Sequence, residues 1–369
     1  MNILILSWRG PGHPHAGGAE ISTHEHAKGW IKAGHQVTLF TSYYIGAKKE
    51  EKVDGIKIIR QGEQVLGVHL RAISWYLFGN HPKFDIVIDQ FHGIPFFTPL
   101  YVRVKKLAFI HEVAKDVWKT NFSLIPATLG EVFESYVFKL YKNIPFMTVS
   151  HSTREDLISW GIPDKNITII HNGVTVPKTL KPMAKEKKKT IIFLGAISKD
   201  KGIEKAINVF SIINNKERDW QFWVVGKSDQ PYMLKLKSLS RKLGLSSKIK
   251  FFGFISEDKK FEFLSKAHIL INPSIREGWG LVVIEAARMG TPTVAFNVPG
   301  LRDSIINNKT GILCSDNSVE NLAKNIFNLL ENKKEYDRIR KNALLWSENF
   351  SWDKAVKKSL ELIEMIDKG

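Results

Sequence analysis

The run Pro273-Ser274-Ile275-Arg276-Glu277-Gly278-Trp279-Gly280-Leu281-Val282-Val283-Ile284-Glu285-Ala286-Ala287 combines two carboxylates, two closely spaced glycines and an arginine. The apolar stretch His268 to Asn272 before it reads as a strand ended by Pro273; Gly278 and Gly280 permit a tight turn, and helical periodicity begins near Leu281. A strand, a glycine loop and a helix start in that order present unbonded backbone N–H groups and the positive end of a helix dipole to an anion. A diphosphate fits that chemistry. Glu277 and Glu285 lie eight positions apart, about 80° in rotation on a continuous helix, but here Glu277 falls in the loop and only Glu285 in the helix. One turn inside, Glu285 could accept from ribose hydroxyls, while Glu277 could reach sugar hydroxyls or a reacting carbon beyond the phosphate. The alternative makes Glu285 a solvated helix residue and Glu277 a charge that complements the dipole.

Other residues with chemical potential are scattered. Gly17 and Gly18 precede a helical pattern from Ala19 to Ala33 closed by Gly34, so backbone could approach a phosphate or sugar closely there, although a glycine pair more often serves a loop. Residues Trp8 to Ala16, with Arg9, His13 and His15, form a long, mobile-looking approach to it. His111 ends the apolar run Leu107-Ala108-Phe109-Ile110, at the carboxyl edge of a strand, where a histidine is more often structural. Lys199 and Lys201 follow an expected strand Thr190 to Leu194, and by themselves read as a solvated basic turn.

Short apolar runs alternate with helix-period segments, the signature of βα units feeding parallel sheets. In the first half the expected strands are Ile3 to Leu6, Gln36 to Thr41, Ile56 to Arg60, Asp85 to Asp89, Leu107 to His111, Phe146 to Ser150 and Ile167 to His171, with a further helix over Leu129 to Tyr141. The pattern restarts with Thr190 to Leu194, Gln221 to Val225, Lys248 to Phe252, His268 to Asn272 and Pro292 to Phe296. Proline and lysine without periodicity mark 177–189 as a linker between domains 1–176 and 190–350, and an amphipathic helix within 351–369 could pack back on the first domain. Doubly wound sheets bind ligands at the carboxyl ends of their strands.

At 369 residues, two domains are the natural division. The formal net charge of +17 favours anionic partners, whether nucleic acid, an acidic membrane surface or phosphorylated small molecules. The single cysteine, Cys314, excludes an intramolecular disulfide, and no HEXXH, CxxC or paired aspartates suggest a metal. The amino terminus lacks a signal-peptide pattern and no apolar run is long enough to span a bilayer, so a cytoplasmic protein is expected. The basic, aromatic stretches Leu70 to Tyr76 and Tyr101 to Lys106 could dock on the anionic inner face of a plasma membrane, or could be buried aromatics beside solvated lysines.

The EGWGLVVIEAARMGTPTVAF run resembles the EGFGLxxxEAMAxGxPVVA signature of GT-B glycosyltransferases, in particular the retaining group 1 or GT4 family. Gly17-Gly18-Ala19-Glu20, His171-Asn172-Gly173-Val174, Lys201-Gly202 and Val225-Gly226 match in the same order. The resemblance implies an α/β fold of two Rossmann-like doubly wound domains facing a central cleft. It implies a retaining, metal-independent hexosyltransferase with no cofactor, a UDP- or GDP-sugar as co-substrate, and a glycan or lipid-linked acceptor in cell-envelope polysaccharide or glycoconjugate synthesis. His111 and Glu277 would be catalytic, with Glu112 a weaker neighbour of His111. Donor contacts would come from Gly17, Gly18, Lys199, Lys201, Gly226, Arg276, Gly278, Trp279, Gly280, Leu281 and Glu285, while His171 and Asn172 would shape the domain junction. Ala196 stands where the family carries an arginine, so Lys199 or Arg276 is expected to supply the second cation. A nucleotide-sugar epimerase or a phosphorylase on the same fold is the alternative; no nucleic-acid motif accompanies the charge.

Overall fold

The computed structural model describes residues 1–91, 93–115, 124–177 and 183–368; residues 178–182 of the expected linker lie outside them. The chain divides into two compact units, one holding the described residues up to Gly173 together with those from Ser351 on, the other Val174–Phe350.

The first unit is built on β1 (Asn2–Leu6), β2 (Gln36–Thr41), β3 (Glu50–Val53), β4 (Ile56–Arg60), β5 (Ile86–Phe91), β6 (Lys105–Ile110), β7 (Phe146–Thr148) and β8 (Ile167–Ile169). Their order across the sheet is β3-β4-β2-β1-β5-β6-β7-β8. The central strands are runs such as Ile3-Leu4-Ile5-Leu6 and Ile86-Val87-Ile88, buried throughout because helices cover both faces of a parallel sheet. Only β3 runs antiparallel, against β4. Its Glu-Glu-Lys-Val sequence has no apolar alternation, so composition gives no strand there. The signal lies in the turn: Asp54 and Gly55 both take positive φ, 49° and 86°, the geometry of a two-residue hairpin for which Asp-Gly is favoured.

The second unit holds β9 (Lys189–Leu194), β10 (Trp220–Val225), β11 (Ile249–Gly253), β12 (Ile269–Asn272), β13 (Thr293–Ala295) and β14 (Gly311–Leu313), all parallel, in the order β11-β10-β9-β12-β13-β14. The helices that border the ligand-binding edges or brace them are α1 (Gly18–Lys32) and α2 (Leu66–Phe78) in the first unit; α3 (Ile203–Lys216), α4 (Glu257–Lys266), α5 (Leu281–Arg288) and α6 (Lys333–Ser347) in the second; and the closing α7 (Trp352–Lys368).

Helix α7 returns to the first unit and docks on α1 through a buried polar node. Ser359 Oγ donates to the Val356 carbonyl at 3.0 Å, so its lone pairs accept from Trp30 Nε1 at 3.0 Å and from His26 Nδ1 at 2.9 Å. Burial pushes the His26 pKa down to about 4, so the imidazole is neutral with its proton on Nδ1. Gly29 allows α7 to come this close, because a methyl there would overlap Val356.

The lysine-rich segment expected to be a linker is docked where it is described. Lys185 Nζ donates to Ala267 O (2.7 Å) and Thr291 Oγ1 (2.6 Å), the Glu186 N–H bonds Lys266 O (2.9 Å), and Lys189 already belongs to β9. A cation against the last carbonyls of α4 is favoured by the helix dipole, even though burial and then Arg340 push the Lys185 pKa down to about 7.

Each sheet has one place where the chain reverses the direction in which it adds strands. In the first it lies between β1 and β5, in the second between β9 and β12. Loops leaving the carboxyl ends of the flanking strands diverge there and leave a crevice, the preferred ligand site of open α/β sheets.

Candidate functional site

In the second unit the β9–α3 and β12–α5 loops meet at that crevice. The Ile275 N–H donates to Asp200 O at 2.9 Å, and Gly202, at φ 71°, lies so close to the Pro273 carbonyl that any side chain would overlap it. The second loop is fixed on its other flank: Glu277 N–H donates to Pro299 O at 3.2 Å, and Gly300, at φ 78°, gives the Glu277 carbonyl its room.

Lys201 and Glu277 face each other across this junction. Lys201 Nζ lies 3.0 Å from Glu277 Oε2, and Ser274 Oγ donates to Glu277 Oε1 at 2.8 Å. Both side chains remain partly open to solvent, 24% and 16%. Beside them α5 begins at Leu281 after Gly280, which holds φ 73°. Val283 N–H already bonds Gly280 O (2.8 Å), so the Leu281 and Val282 N–H groups are the ones that precede the helical ladder and can meet an anion.

Glu285 is not a solvated helix residue. It is 8% exposed and its Oε1 accepts from Lys260 Nζ of α4 at 2.7 Å. Burial raises its carboxyl above the ordinary glutamate range and Lys260 opposes that rise.

Other expected contacts occupy different depths. Lys199 is exposed at the mouth of the β9–α3 loop, its carbonyl accepting from Gly202 N–H at 3.0 Å, whereas Arg276 is 4% exposed within the β12–α5 loop. Gly278 is half-buried in that loop and Leu281 half-buried at the start of α5. The Trp279 ring is 3% exposed and packs edge-on against Phe350 (5.1 Å), fastening the glycine loop from the core side. Gly226, at φ 149°, ends β10 against the Gly195 carbonyl, a passage too close for a Cβ. The open Ala196 position has a neighbour that sequence order hides: Ile197 N–H bonds Lys227 O (2.8 Å), and Lys227 Nζ sits 4.3 Å above the Phe254 ring.

In the first unit Gly17 precedes α1 and Gly18 is its first residue, both exposed. Gly17 N–H donates to Glu20 Oε2 (2.6 Å), and Arg9 Nε to Glu20 Oε1 (3.0 Å). The approach loop is therefore tied rather than loose: Arg9 Nη1 also donates to His15 O (2.6 Å) and the buried Arg60 reaches Pro11 O (3.1 Å). His13, buried against Tyr44 with its Nδ1 accepting from His15 N–H (3.1 Å), has its pKa pushed down to about 4 by burial and then by Arg9. His111 follows β6 at the carboxyl edge, 7% exposed and tilted over Phe109 at 4.4 Å, its carbonyl accepting from Thr153 Oγ1 (3.0 Å). Asn172 is buried and accepts from Ser22 Oγ of α1 at 2.7 Å. No group of three His, Cys, Asp or Glu side chains placed to hold a metal occurs among the described residues.

Similarity to known proteins agrees with this geometry. Residues 178–346 match the family described as glycosyl transferases group 1, and residues 16–176 match glycosyltransferase family 4. An uncharacterized glycosyltransferase of Haemophilus influenzae is 31% identical over 188 residues, 50% of this chain and 52% of that protein. Another, from Methanocaldococcus jannaschii, is 22% identical over 391 residues, 99% of this chain and 98% of the relative. The Anabaena protein HepE, solved in complex with UDP and glucose, has the same fold: TM-score 0.77, 17% identity, 99% of this chain and all (100%) of that one. Two parallel sheets with their carboxyl-end loops so arranged, and two family matches that between them span nearly the whole sequence, make this chain a GT-B protein belonging to the group 1 (GT4) glycosyltransferases.

Proposed function

We propose that this chain is a retaining, metal-independent hexosyltransferase that moves a hexose from a UDP- or GDP-sugar to a glycan or lipid-linked acceptor, in cell-envelope polysaccharide or glycoconjugate synthesis. One observation carries the reading: Lys201 and Glu277, from two loops at the switch point of the second sheet, sit 3.0 Å apart beside the amino end of α5. A sugar nucleotide joins phosphate to sugar through a single oxygen, so a cation for one and a carboxylate for the other must be neighbours. The HepE complex with UDP and glucose favours UDP as the nucleotide.

In this mechanism the bond from the sugar C1 to the diphosphate oxygen breaks and its electron pair stays on the phosphate. The acceptor oxygen bonds C1 on the same face, and its proton passes to the departing phosphate. Lys201, the Leu281 and Val282 N–H groups and the backbone of Gly18, next to Gly17 whose own N–H is held by Glu20, stabilise the charge that builds on the leaving group, the work a metal does elsewhere. Lys199 or Arg276 supplies the second cation where Ala196 provides no charge. Glu277 holds sugar hydroxyls, Glu285 the ribose, and His111 the sugar on the acceptor side.

The acceptor reading draws on α2. Its Leu66, Leu70, Leu77 and Phe78 are 67%, 69%, 48% and 84% exposed along one side with Arg71 among them, and Tyr76 meets Tyr101 edge-on (5.6 Å), which brings exposed Leu100 and Arg103 alongside. Apolar side chains rimmed by arginine on a chain of net charge +17 complement an anionic bilayer that presents a lipid-linked acceptor. No helix among the described residues is long and apolar enough to cross a membrane. The protein is expected to sediment with phosphatidylglycerol vesicles, and Leu70→Asp with Phe78→Asp to abolish this; wild-type protein left in the supernatant at low salt would remove the peripheral-membrane reading.

For the reaction itself, a thermal-shift panel of UDP-, GDP- and ADP-sugars should single out a UDP- or GDP-sugar. Incubation with acceptor in EDTA should then yield a product whose anomeric configuration matches the donor. Turnover of the donor without acceptor into an isomeric sugar nucleotide would instead identify an epimerase, and dependence on inorganic phosphate a phosphorylase.

A further inference from the structure

Helices α4 and α5 pack side by side, and one lysine joins them. Lys260 Nζ stands between two carboxylates, 2.6 Å from Glu257 Oε2 on its own helix and 2.7 Å from Glu285 Oε1 on α5. Glu257 is at the rim, 68% exposed, while Lys260 and Glu285 are at 13% and 10%. The Lys260 ammonium also lies 4.7 Å over the Phe261 ring, which fixes its direction. Glu285 Oε1 is thereby occupied, and Oε2 accepts no hydrogen bond from the described residues.

We infer that Lys260 is a positioning residue for the sugar nucleotide: it holds the Glu285 carboxylate ionised and turned so that Oε2 faces the ribose hydroxyls. This rests on the reading of Glu285 as the ribose acceptor. The physical reason is the cost of burying an unpaired carboxylate, which in a dry site takes up a proton rather than remain charged. Burial already lifts Glu285 above its ordinary range with Lys260 in place, and Lys260 is the cation that counters it. The charged groups acting on Glu285 are Lys260 and Glu257, both from α4; Arg340 of α6, which also packs on α5, donates to Gly290 O instead (3.0 Å). Lys260 itself, penalised by burial but held by Glu285 and Glu257, keeps its proton above the usual lysine range and so stays charged through neutral pH.

A pair that only stabilised the fold would, when broken, weaken all ligands alike at every pH. The positioning role predicts a different pattern. Without the ammonium, nothing counters the rise that burial and Glu257 impose on the Glu285 carboxyl, so its charge, and nucleotide affinity with it, should be weaker at lower pH than at higher pH. Calorimetric titration with UDP, or GDP if the wild type prefers it, tests this at pH 6.5 and 8.5, with inorganic pyrophosphate as a ligand that lacks ribose. Relative to wild type at the same pH, Lys260→Met should bind the nucleotide about ten-fold more weakly at pH 6.5, with a smaller loss at pH 8.5. Its pyrophosphate affinity should be unchanged, and Lys260→Arg should track wild type. Lys260→Gln, which keeps a neutral donor within reach of Oε1, carries the same test should the methionine variant not fold. Unaltered nucleotide affinity at both pH values, or an equal loss for nucleotide and pyrophosphate, overturns the proposal. Glu285→Gln separates the two layers: wild-type nucleotide affinity in that variant overturns the ribose reading and the role of Lys260 with it, whereas a loss there beside a pH-independent Lys260→Met overturns Lys260 alone.

Discussion

Lys201→Met is expected to lower the turnover number for transfer about 100- to 1,000-fold while leaving thermal stability close to wild type, because in the proposed mechanism its charge acts on the leaving group rather than on the fold. With the ammonium gone, Glu277, whose side chain is 16% exposed, keeps solvent contact and the hydrogen bond from Ser274, which limits the cost to the fold. Charge on the departing diphosphate is another matter. In the proposed mechanism it develops at the amino end of α5, which starts at Leu281, and Ala196 puts no charge where the resemblance implies an arginine. Initial rates with saturating donor and circular dichroism melts check both halves of the expectation. Full turnover in the variant would show that the diphosphate is neutralised elsewhere.

Glu277→Gln is expected to separate nucleotide binding from sugar transfer. The substitution preserves volume and still lets Ser274 donate to the side-chain oxygen, so the loop pinned by Pro299 and Gly300 should keep its shape. What it removes is the charge that, in the proposed mechanism, grips sugar hydroxyls as C1 becomes positive in the transition state. A fall of about 100-fold or more in kcat/KM, with UDP affinity unchanged within about threefold, is the expected outcome. A parallel loss of UDP affinity would place Glu277 on the nucleotide rather than on the sugar.

Much of the architecture could be read from residue order because parallel strands covered on both faces are written as unbroken apolar runs, as in Ile3 to Leu6 and Ile269 to Ile271. The glycine loop before Leu281 was legible for a similar reason: strand, proline, two glycines and helix follow one another within a single segment. What escaped the sequence depends on partners distant along the chain. The loop from Trp8 to Ala16 looks mobile by composition, yet Arg60, which holds Pro11, comes from β4. Lys260 has no local signature that links it to Glu285, since α4 and α5 meet only after β12 has been laid beside β9. Lys227 was hidden in the same way, as its approach to Ile197 follows from β10 pairing with β9. Strand β3 failed for the opposite reason: the Asp54-Gly55 turn marks it, but its charged residues do not.

The most direct test of the account is a crystal structure of the protein soaked with the sugar nucleotide selected by the thermal-shift panel. The diphosphate should lie within about 3 Å of the Leu281 and Val282 backbone nitrogens and of Lys201 Nζ, with the hexose against Glu277 and the ribose against Glu285 Oε2. A diphosphate bound away from the start of α5, with the Lys201–Glu277 pair undisturbed and no ribose contact to Glu285, would contradict it.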